Sequence, residues 1–210
     1  MKALDNIIYL DNSATTKPCD AAINNINDAL VNNWGNPSSL HTLGMYAEQT
    51  VNSARKAIAK LIGADPSEIY FTSGATEANN ISILCSAKKL LKHGKRIVTT
   101  AIEHHSVLDT IKSLEADGAE VVYLQPDGFG HISEEALTKA ITPDTVLVSL
   151  MLVNNEVGSI LPIQKAKSII KSVCPRAILH CDAVQAVGKM PINVKSLGVD
   201  LLTASAHKLH

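Results

Sequence analysis

The stretch VLVSLM, residues 146–151, is almost wholly apolar and has the length of one β-strand. A strand that is packed on both faces has this composition, because neither face meets water. The run is far too short to cross a bilayer. It therefore predicts a central strand of a parallel sheet with helices on both faces.

Further β-type runs lie on either side of this stretch and alternate with helical patterns. Such alternation predicts right-handed crossovers and a mainly parallel sheet. The predicted strands are residues 69–72, 96–100, 121–124, 145–151, 177–181 and 199–203. The predicted helices are residues 45–61, 76–92, 106–115, 133–141 and 163–173. The predicted fold class is α/β, a mainly parallel sheet sandwiched by helices.

The length of 210 residues favours one large domain with at most a small second one. Residues 16–210 follow the regular pattern and are assigned to the large domain. Residues 1–15 lie outside that pattern and form an N-terminal segment that could belong to a second, smaller domain.

Composition and charge favour a cytoplasmic protein. The formal net charge is −1 and the basic residues are not clustered, which argues against electrostatic binding of nucleic acid or of a membrane surface. The N-terminus lacks a signal-peptide pattern. The cysteines fit neither a zinc nor a disulfide pattern, so we expect free and mostly buried thiols at Cys19, Cys85, Cys174 and Cys181.

Polar and ionisable residues follow five of the predicted strands at their carboxyl ends. Ligands of open α/β sheets bind outside these ends, so the five groups predict a single site. In chain order they are residues 72–77 (TSGATE), 103–105 (EHH), 154–156 (NNE), Asp182 with Gln185, and 205–208 (SAHK).

The Gly74 loop is the first of these groups. A glycine and small residues at a helix start let backbone N–H groups approach an anion, and the Thr76 hydroxyl could add a donor. The loop matches neither the GxxxxGK[ST] nor the GxGxxG pattern. It indicates a phosphate site, and the alternative is an ordinary capped helix.

Asp182, His104 and Lys208 suggest the chemistry. A buried carboxylate needs a cationic partner, and a pyridinium nitrogen is one, as in pyridoxal-phosphate enzymes. A lysine amine with a lowered pKa forms Schiff bases. The alternatives are an aspartate that caps the next turn, a histidine at a helix start and a solvated lysine.

A metal site is the rival interpretation. His180 and Asp182 are two residues apart on one strand and so face the same side. With His104 and His207 they could bind a metal, but no ligand motif supports this. We therefore predict no metal.

These motifs resemble one known family. The chain is similar to the cysteine desulfurases of the nitrogen-fixation and iron–sulfur-cluster type, in the class V aminotransferase group of fold-type I pyridoxal-phosphate enzymes. The resemblance covers essentially the whole chain, in order. The matching segments are residues 9–16 (YLDNSATT), 35–41 (GNPSSLH), 71–77 (FTSGATE), 103–108 (EHHSVL), 153–158 (VNNEVG), 180–185 (HCDAVQ) and 205–208 (SAHK).

The resemblance implies roles around pyridoxal 5'-phosphate. Lys208 would carry the cofactor, and His104 would stack on its ring and help to move protons; these two are the implied catalytic residues. Asp182 would pair with the ring nitrogen, and Gln185 would bind the phenolic oxygen. The remaining implied cofactor-binding residues hold the phosphate or lie beside the ring, and they are Ala75, Thr76, Ser205, His207 and Asn155.

The resemblance also implies a reaction and partners. L-cysteine would yield L-alanine and an enzyme-bound persulfide in a homodimer, for delivery to an acceptor such as an iron–sulfur scaffold protein. Nucleic-acid contact would arise only with partners in tRNA thiolation, and no membrane contact is expected. The alternatives are a selenocysteine lyase-like enzyme, or a non-catalytic fragment that binds the cofactor or dimerises.

The chain departs from the family after Lys208. Family members continue, with a loop cysteine that takes up sulfur and an arginine that binds the substrate carboxylate. None of the four cysteines matches that loop. We therefore expect an incomplete large domain, and a 210-residue chain that is inactive alone.

Overall fold

A five-stranded sheet is the centre of the molecule, in a computed structural model that describes residues 7–210. The strands are β1 (Arg96–Thr100), β2 (Glu120–Leu124), β3 (Thr145–Met151), β4 (Ile178–Asp182) and β5 (Leu201–Thr203). Their order is β2-β1-β3-β4-β5, and all neighbouring pairs are parallel. The predicted α/β fold is confirmed. The order reverses between β1 and β3, where a crevice for ligands is expected.

Helices cover both faces of this sheet. The helices of the described residues are α1 (Asp20–Asn32), α2 (Thr42–Ile62), α3 (Ala75–Leu90), α4 (His105–Ala116), α5 (Glu134–Ala140), α6 (Ile163–Val173) and α7 (Val194–Leu197), and α1 is the one that packs no residue against the hydrophobic clusters of the sheet. Neighbouring residues of each strand point to opposite faces. Ile97 and Leu147 therefore pack in the cluster with α3 and α4, whereas Val98 and Val148 pack in the cluster with α2, α5 and α6.

The predicted strand at residues 69–72 is wrong. This segment is extended, but within residues 7–210 no strand pairs with it, so it forms no ladder. Its first carbonyl, that of Ile69, accepts a hydrogen bond from Arg55 instead. Tyr70 is 84% exposed, and the Arg55 guanidinium lies 5.0 Å from the ring centre of Phe71.

Helix α1 was not among the predicted helices. It buries no residue, and its apolar side chains Ile26, Leu30 and Val31 are exposed. Within the described part of the chain, no helix combines the length and the apolar composition needed to cross a membrane.

The predicted N-terminal segment lies partly outside the described residues, which begin at residue 7. Thr16 donates two hydrogen bonds to the His207 carbonyl, from its backbone N–H and its hydroxyl, both at 2.9 Å. The division at residue 15 therefore stays a prediction.

The prediction of free thiols is confirmed for all four cysteines, and the prediction of burial for two of them. Cys174 and Cys181 are buried, whereas Cys19 and Cys85 are exposed, and all four are free thiols.

Candidate active site

A cavity of about 860 Å³ opens at the carboxyl edge of the sheet. This volume is within the range of small-molecule sites. The structure brings all the predicted site residues to its walls: Ala75, Thr76, His104, Asn155, Asp182, Gln185, Ser205, His207 and Lys208.

The start of helix α3 forms one end of the cavity. The first hydrogen bond of this helix runs from the Ala78 N–H to the Gly74 carbonyl, so the N–H groups of the three residues between have no helical partner. Among the described residues, no side chain accepts a hydrogen bond from these three N–H groups, and the Glu77 carboxylate in the first turn accepts one from the Ser73 N–H instead. Open N–H donors together with the helix dipole fit an anion such as a phosphate group.

Asp182 forms the opposite, inner side. It is only 5% exposed, and its two oxygens accept hydrogen bonds from the Val184 N–H (3.0 Å) and the Asn79 amide (2.8 Å). Both donors are neutral, and no lysine, arginine or histidine of residues 7–210 forms an ion pair with this carboxylate. A buried carboxylate of this kind fits a cationic partner such as a protonated pyridine nitrogen.

Asn79 links this carboxylate to His104. The Asn79 Nδ2 also donates to the Ser106 hydroxyl (2.9 Å), and that hydroxyl lies 2.8 Å from the His104 Nδ1. The Ser106 N–H donates to the same Nδ1 (3.1 Å), so the imidazole caps helix α4 while it lines the cavity. The orientation of the His104 ring is therefore fixed through Nδ1.

Sequence reasoning missed Asn79 and Ser106. One pattern could have indicated Asn79, because it follows Thr76 by three residues and so lies one turn into the helix, on the same side. Asn79 is fully buried, and its Oδ1 accepts a hydrogen bond from Thr203 (2.5 Å). A fully buried asparagine with three side-chain partners is an ordered part of the site.

His180 does not face the cavity. Its Nδ1 lies 2.8 Å from the Ser149 hydroxyl and its Nε2 lies 3.4 Å from the Thr203 hydroxyl. Burial lowers the pKa of His180 to about 4. No cluster of three metal-binding side chains occurs among residues 7–210. The rival metal interpretation therefore gains no support from this histidine.

Glu103 joins the loops that follow β1 and β3. Its Oε1 accepts hydrogen bonds from the Thr100 hydroxyl (2.7 Å) and the Met151 N–H (2.9 Å). Burial raises the pKa of Glu103 to about 8. The Asn154 amide donates to the Ile102 carbonyl across the same junction (3.0 Å). These bonds fix the two loops that carry His104 and Asn155.

Lys208 lies at the outer side of the cavity. Its amine donates to the carbonyls of Ser13 and Ala14, at 2.7 Å for Ala14. Burial, and then the positive charge of Lys189, lower the pKa of this amine. A lowered pKa favours the neutral amine that reacts with an aldehyde.

Gln185 shares one of these contacts. Its Nε2 donates to the Ser13 carbonyl (2.8 Å), and its Oε1 accepts from Lys189 (2.8 Å). The backbone carbonyls of residues 13 and 14 are partners that no sequence pattern indicated.

Ser205 and His207 lie beside the lysine. Ser205 precedes the short 3-10 turn Ala206–Lys208, and the His207 Nδ1 lies 3.2 Å from the Thr15 hydroxyl. Both residues line the cavity. None of the four cysteines of the chain lines it.

The chain matches one family model and is similar to several proteins of known name. Residues 8–210 match the model of the family described as Aminotransferase class-V. The chain is 44% identical over 201 residues to cysteine desulfurase IscS of Methanosarcina thermophila. The aligned region covers 96% of this chain and 49% of that protein. It is 45% identical over 206 residues to cysteine desulfurase IscS of Glaesserella parasuis serovar 5, with 97% and 50% covered. The chain spans about half the length of the curated relatives it matches.

Solved structures show the same likeness. A NifS-like protein superposes with a TM-score of 0.94 at 40% identity, covering 97% of this chain and 56% of that one. The cysteine desulfurase of Thermococcus onnurineus NA1 in its apo form superposes with a TM-score of 0.90 at 31% identity, covering 98% and 51%. Because the family model matches residues 8–210 of its 210 residues, the chain belongs to the class-V aminotransferase family.

Proposed function

We propose that this chain is the pyridoxal-phosphate-binding part of a cysteine desulfurase. The observation that carries the proposal is that one cavity brings together the amine of Lys208, the buried carboxylate of Asp182 and the open N–H groups of helix α3. The curated relatives reported above, which carry the name cysteine desulfurase, support the same assignment.

Each group has a distinct task in this proposal. When bound, pyridoxal phosphate withdraws electrons from the bonds to the substrate α-carbon. Asp182 would keep the ring nitrogen protonated, and Gln185 would bind the phenolic oxygen. Lys208 would bind the cofactor covalently and move a proton at Nζ. His104 would stack on the ring and move a proton at Nε2, since its Nδ1 is held by Ser106.

The phosphate would be bound at the other end of the cavity. The residues that hold it are those at the start of helix α3 and in the turn before the lysine, namely Ala75, Thr76, Ser205 and His207. Asn155, which also lines the cavity, would lie beside the cofactor and the substrate.

The overall reaction converts L-cysteine and a thiol into L-alanine and a persulfide. The C–S bond of the substrate breaks, a S–S bond forms on the thiol, and no external oxidant or reductant is needed. Because no cysteine of the chain lines the cavity, we expect the accepting thiol to come from outside the described residues.

The proposal extends to the assembly and its surroundings. The apolar face of helix α1 with Trp34 is exposed, and a second copy of the chain in a homodimer could cover it. The persulfide sulfur would pass to an acceptor protein such as an iron–sulfur scaffold. The four free thiols are consistent with a cytoplasmic location.

Covalent labelling tests the cofactor assignment. The intact gene product is incubated with pyridoxal phosphate, reduced with borohydride and mapped by peptide mass spectrometry. We expect the pyridoxyl group on Lys208, no label in Lys208→Ala, and full labelling in the control Lys195→Ala. A label on Lys189 or Lys195 would contradict the assignment.

An alanine assay tests the reaction. The intact gene product with cofactor should form alanine from L-cysteine, whereas residues 1–210 alone should form none above the level of Lys208→Ala. Cofactor binding by the intact product without any alanine would favour a non-catalytic module, and turnover of selenocysteine alone would favour a selenocysteine lyase. Sustained alanine production by residues 1–210 would show that the accepting thiol is not required.

A further inference from the structure

The amide of Gln185 can have only one orientation in this site. Its Oε1 lies 2.8 Å from the Lys189 Nζ, and its Nε2 lies 2.8 Å from the Ser13 carbonyl oxygen. An ammonium group only donates and a carbonyl only accepts, so the two contacts require the same assignment of the amide. The flipped amide would place two donors together at one end and two acceptors together at the other.

The backbone brings Lys189 to Gln185. Residues 183–190 wind in successive turns, in which the Val187 N–H donates to the Ala183 carbonyl and the Met190 N–H to the Ala186 carbonyl. A spacing of four residues in such turns places two side chains on the same side. Gly188 ends these turns with a φ of +76°, in the left-handed region. A side chain at this position would be strained and would also meet the Leu209 side chain.

The donor edge of the amide faces the cofactor lysine. The Gln185 Nε2 and the Lys208 Nζ both donate to the carbonyl of Ser13. In pyridoxal phosphate, the aldehyde that reacts with the lysine and the phenolic oxygen are on neighbouring ring carbons. The group beside Lys208 that meets this oxygen must therefore be a donor, and the Ser13 carbonyl stands in for that acceptor here.

We propose, on the basis of the proposed function, that Lys189 is a positioning residue of this site. Its ammonium group holds the acceptor edge of the Gln185 amide, so that the NH2 edge faces the phenolic oxygen of the bound cofactor. Lys189 is exposed and does not line the cavity, so it acts through Gln185 and through its charge.

The charge of Lys189 also acts on Lys208. Burial is the main cause that lowers the pKa of Lys208, and Lys189 is the next; Asp11 and Asp182 act in the opposite direction. His207 is the other titratable group beside the amine. Removal of the Lys189 charge should therefore raise the pKa of Lys208 and leave less neutral amine at a given pH.

The test compares Lys189→Met with Lys189→Arg, which keeps the charge and the donors, and with Lys195→Met. Lys195 is an exposed lysine on α7 that does not line the cavity. The rate constant for capture of pyridoxal phosphate by the cofactor-free intact protein is measured from pH 6 to pH 10. We expect Lys189→Met to shift the midpoint of this profile to higher pH and to slow capture at neutral pH roughly 1.5- to 5-fold, the usual range for exposed charges. Lys189→Arg and Lys195→Met should match the wild type.

A double-mutant cycle separates orientation from charge. The rate of cofactor release is measured for Lys189→Met, Gln185→Leu and the double variant. If Lys189 acts through the amide, its substitution accelerates release in the presence of Gln185 and has no further effect in Gln185→Leu.

Three results would overturn the proposal. Lys189→Met could behave as the wild type, Lys195→Met could show the same shift, or the effects on release could be additive. A wild type that captures no cofactor on Lys208 would instead overturn the proposed function, and this inference with it.

Discussion

The two sides of the cavity are built differently. The inner wall consists of buried side chains that bind one another, and its members are Asn79, Glu103, Ser106, Asp182 and Thr203. The rim consists of residues 13–16 and 207–210, which meet mainly through backbone carbonyls and exposed side chains. The inner wall is ordered by the core itself, whereas the rim depends on contacts between segments about 190 residues apart in the chain. This difference predicts that substitutions in the inner wall lower stability or activity more than substitutions in the rim do.

Asn79→Leu should have the largest effect on stability. It removes three buried hydrogen bonds, those of the Asn79 amide to Ser106, Asp182 and Thr203, and leaves the Asp182 Oδ2 without its donor. A buried polar group that loses its partner costs about 1–3 kcal/mol. We expect the free energy of unfolding of the cofactor-free chain to fall by about 3 kcal/mol or more in denaturant titrations. Asn52→Leu, the same change on the exposed side of helix α2, is the control. A loss in the free energy of unfolding as small as that of the control would remove the distinction between the inner wall and the rim.

Asp182→Asn should affect chemistry more than cofactor retention. The substitution keeps the shape, but the single acceptor oxygen of asparagine can serve only one of the two donors, Asn79 and Val184. It also removes the charge that, in the proposed function, would hold the ring nitrogen protonated. A charge-assisted hydrogen bond contributes about 1.5–3 kcal/mol, so alanine production by the intact gene product should fall roughly 10- to 100-fold. Cofactor content is measured by absorbance in the same samples. If activity falls no further than cofactor content, Asp182 only helps to hold the ring.

Glu103→Gln should change the dependence of stability on pH. Burial raises the pKa of Glu103 from 4.5 to about 8, so between these values the folded chain retains a proton that the unfolded chain has lost. The stability contributed by Glu103 is therefore present below pH 4.5 and is lost as the pH rises to 8. Glutamine resembles the protonated acid, so the variant should match the wild type at pH 5 and be more stable at pH 9 in thermal unfolding. A difference in melting temperature that is the same at both pH values would contradict this assignment.

Thr16→Val should have the smallest effect. The Thr16 hydroxyl donates to the His207 carbonyl (2.9 Å) and accepts from the His210 N–H (2.8 Å), whereas the backbone bond of Thr16 to His207 is kept in the variant. We expect a loss of about 1 kcal/mol in the free energy of unfolding. Limited proteolysis should show faster cleavage of residues 7–16. A loss as large as that of Asn79→Leu would mean that the rim is as essential to the fold as the inner wall.

On both sides of the cavity, the sequence predicted the residues at strand ends better than the partners that hold them. Strand ends can be located from apolar runs, so the residues after β1 and β4, His104 and Asp182, could be assigned to the carboxyl edge. The partners of these residues were harder to find, because polar side chains on buried helix faces, such as Asn79, have no periodicity of their own. In the rim, His207 and Lys208 were predicted, whereas the contacts of Ser13 and Ala14 were missed because carbonyl groups have no residue-specific pattern.

Two elements differ from the sequence prediction. Residues 69–72 have the composition of a strand, but strand formation requires a neighbour, and none of the described strands pairs with them. Helix α1 was overlooked although Ile23, Ile26 and Leu30 are spaced three and four residues apart, as on one helix face. For residues 69–72 the packing partner, and not the local sequence, decides the outcome.

The contact between Thr16 and His207 joins residues 191 positions apart and closes the cavity. Because closing a loop of this length has a high entropic cost, we expect this contact to form late in folding, after the intervening strands have paired. Asp182 is thus in place before the rim that holds the amine of Lys208 is complete. A half-folded molecule would have a binding surface for the ring but no ordered lysine to react with it. In the proposed function, covalent capture of the cofactor by Lys208 would therefore report that the five described strands have formed.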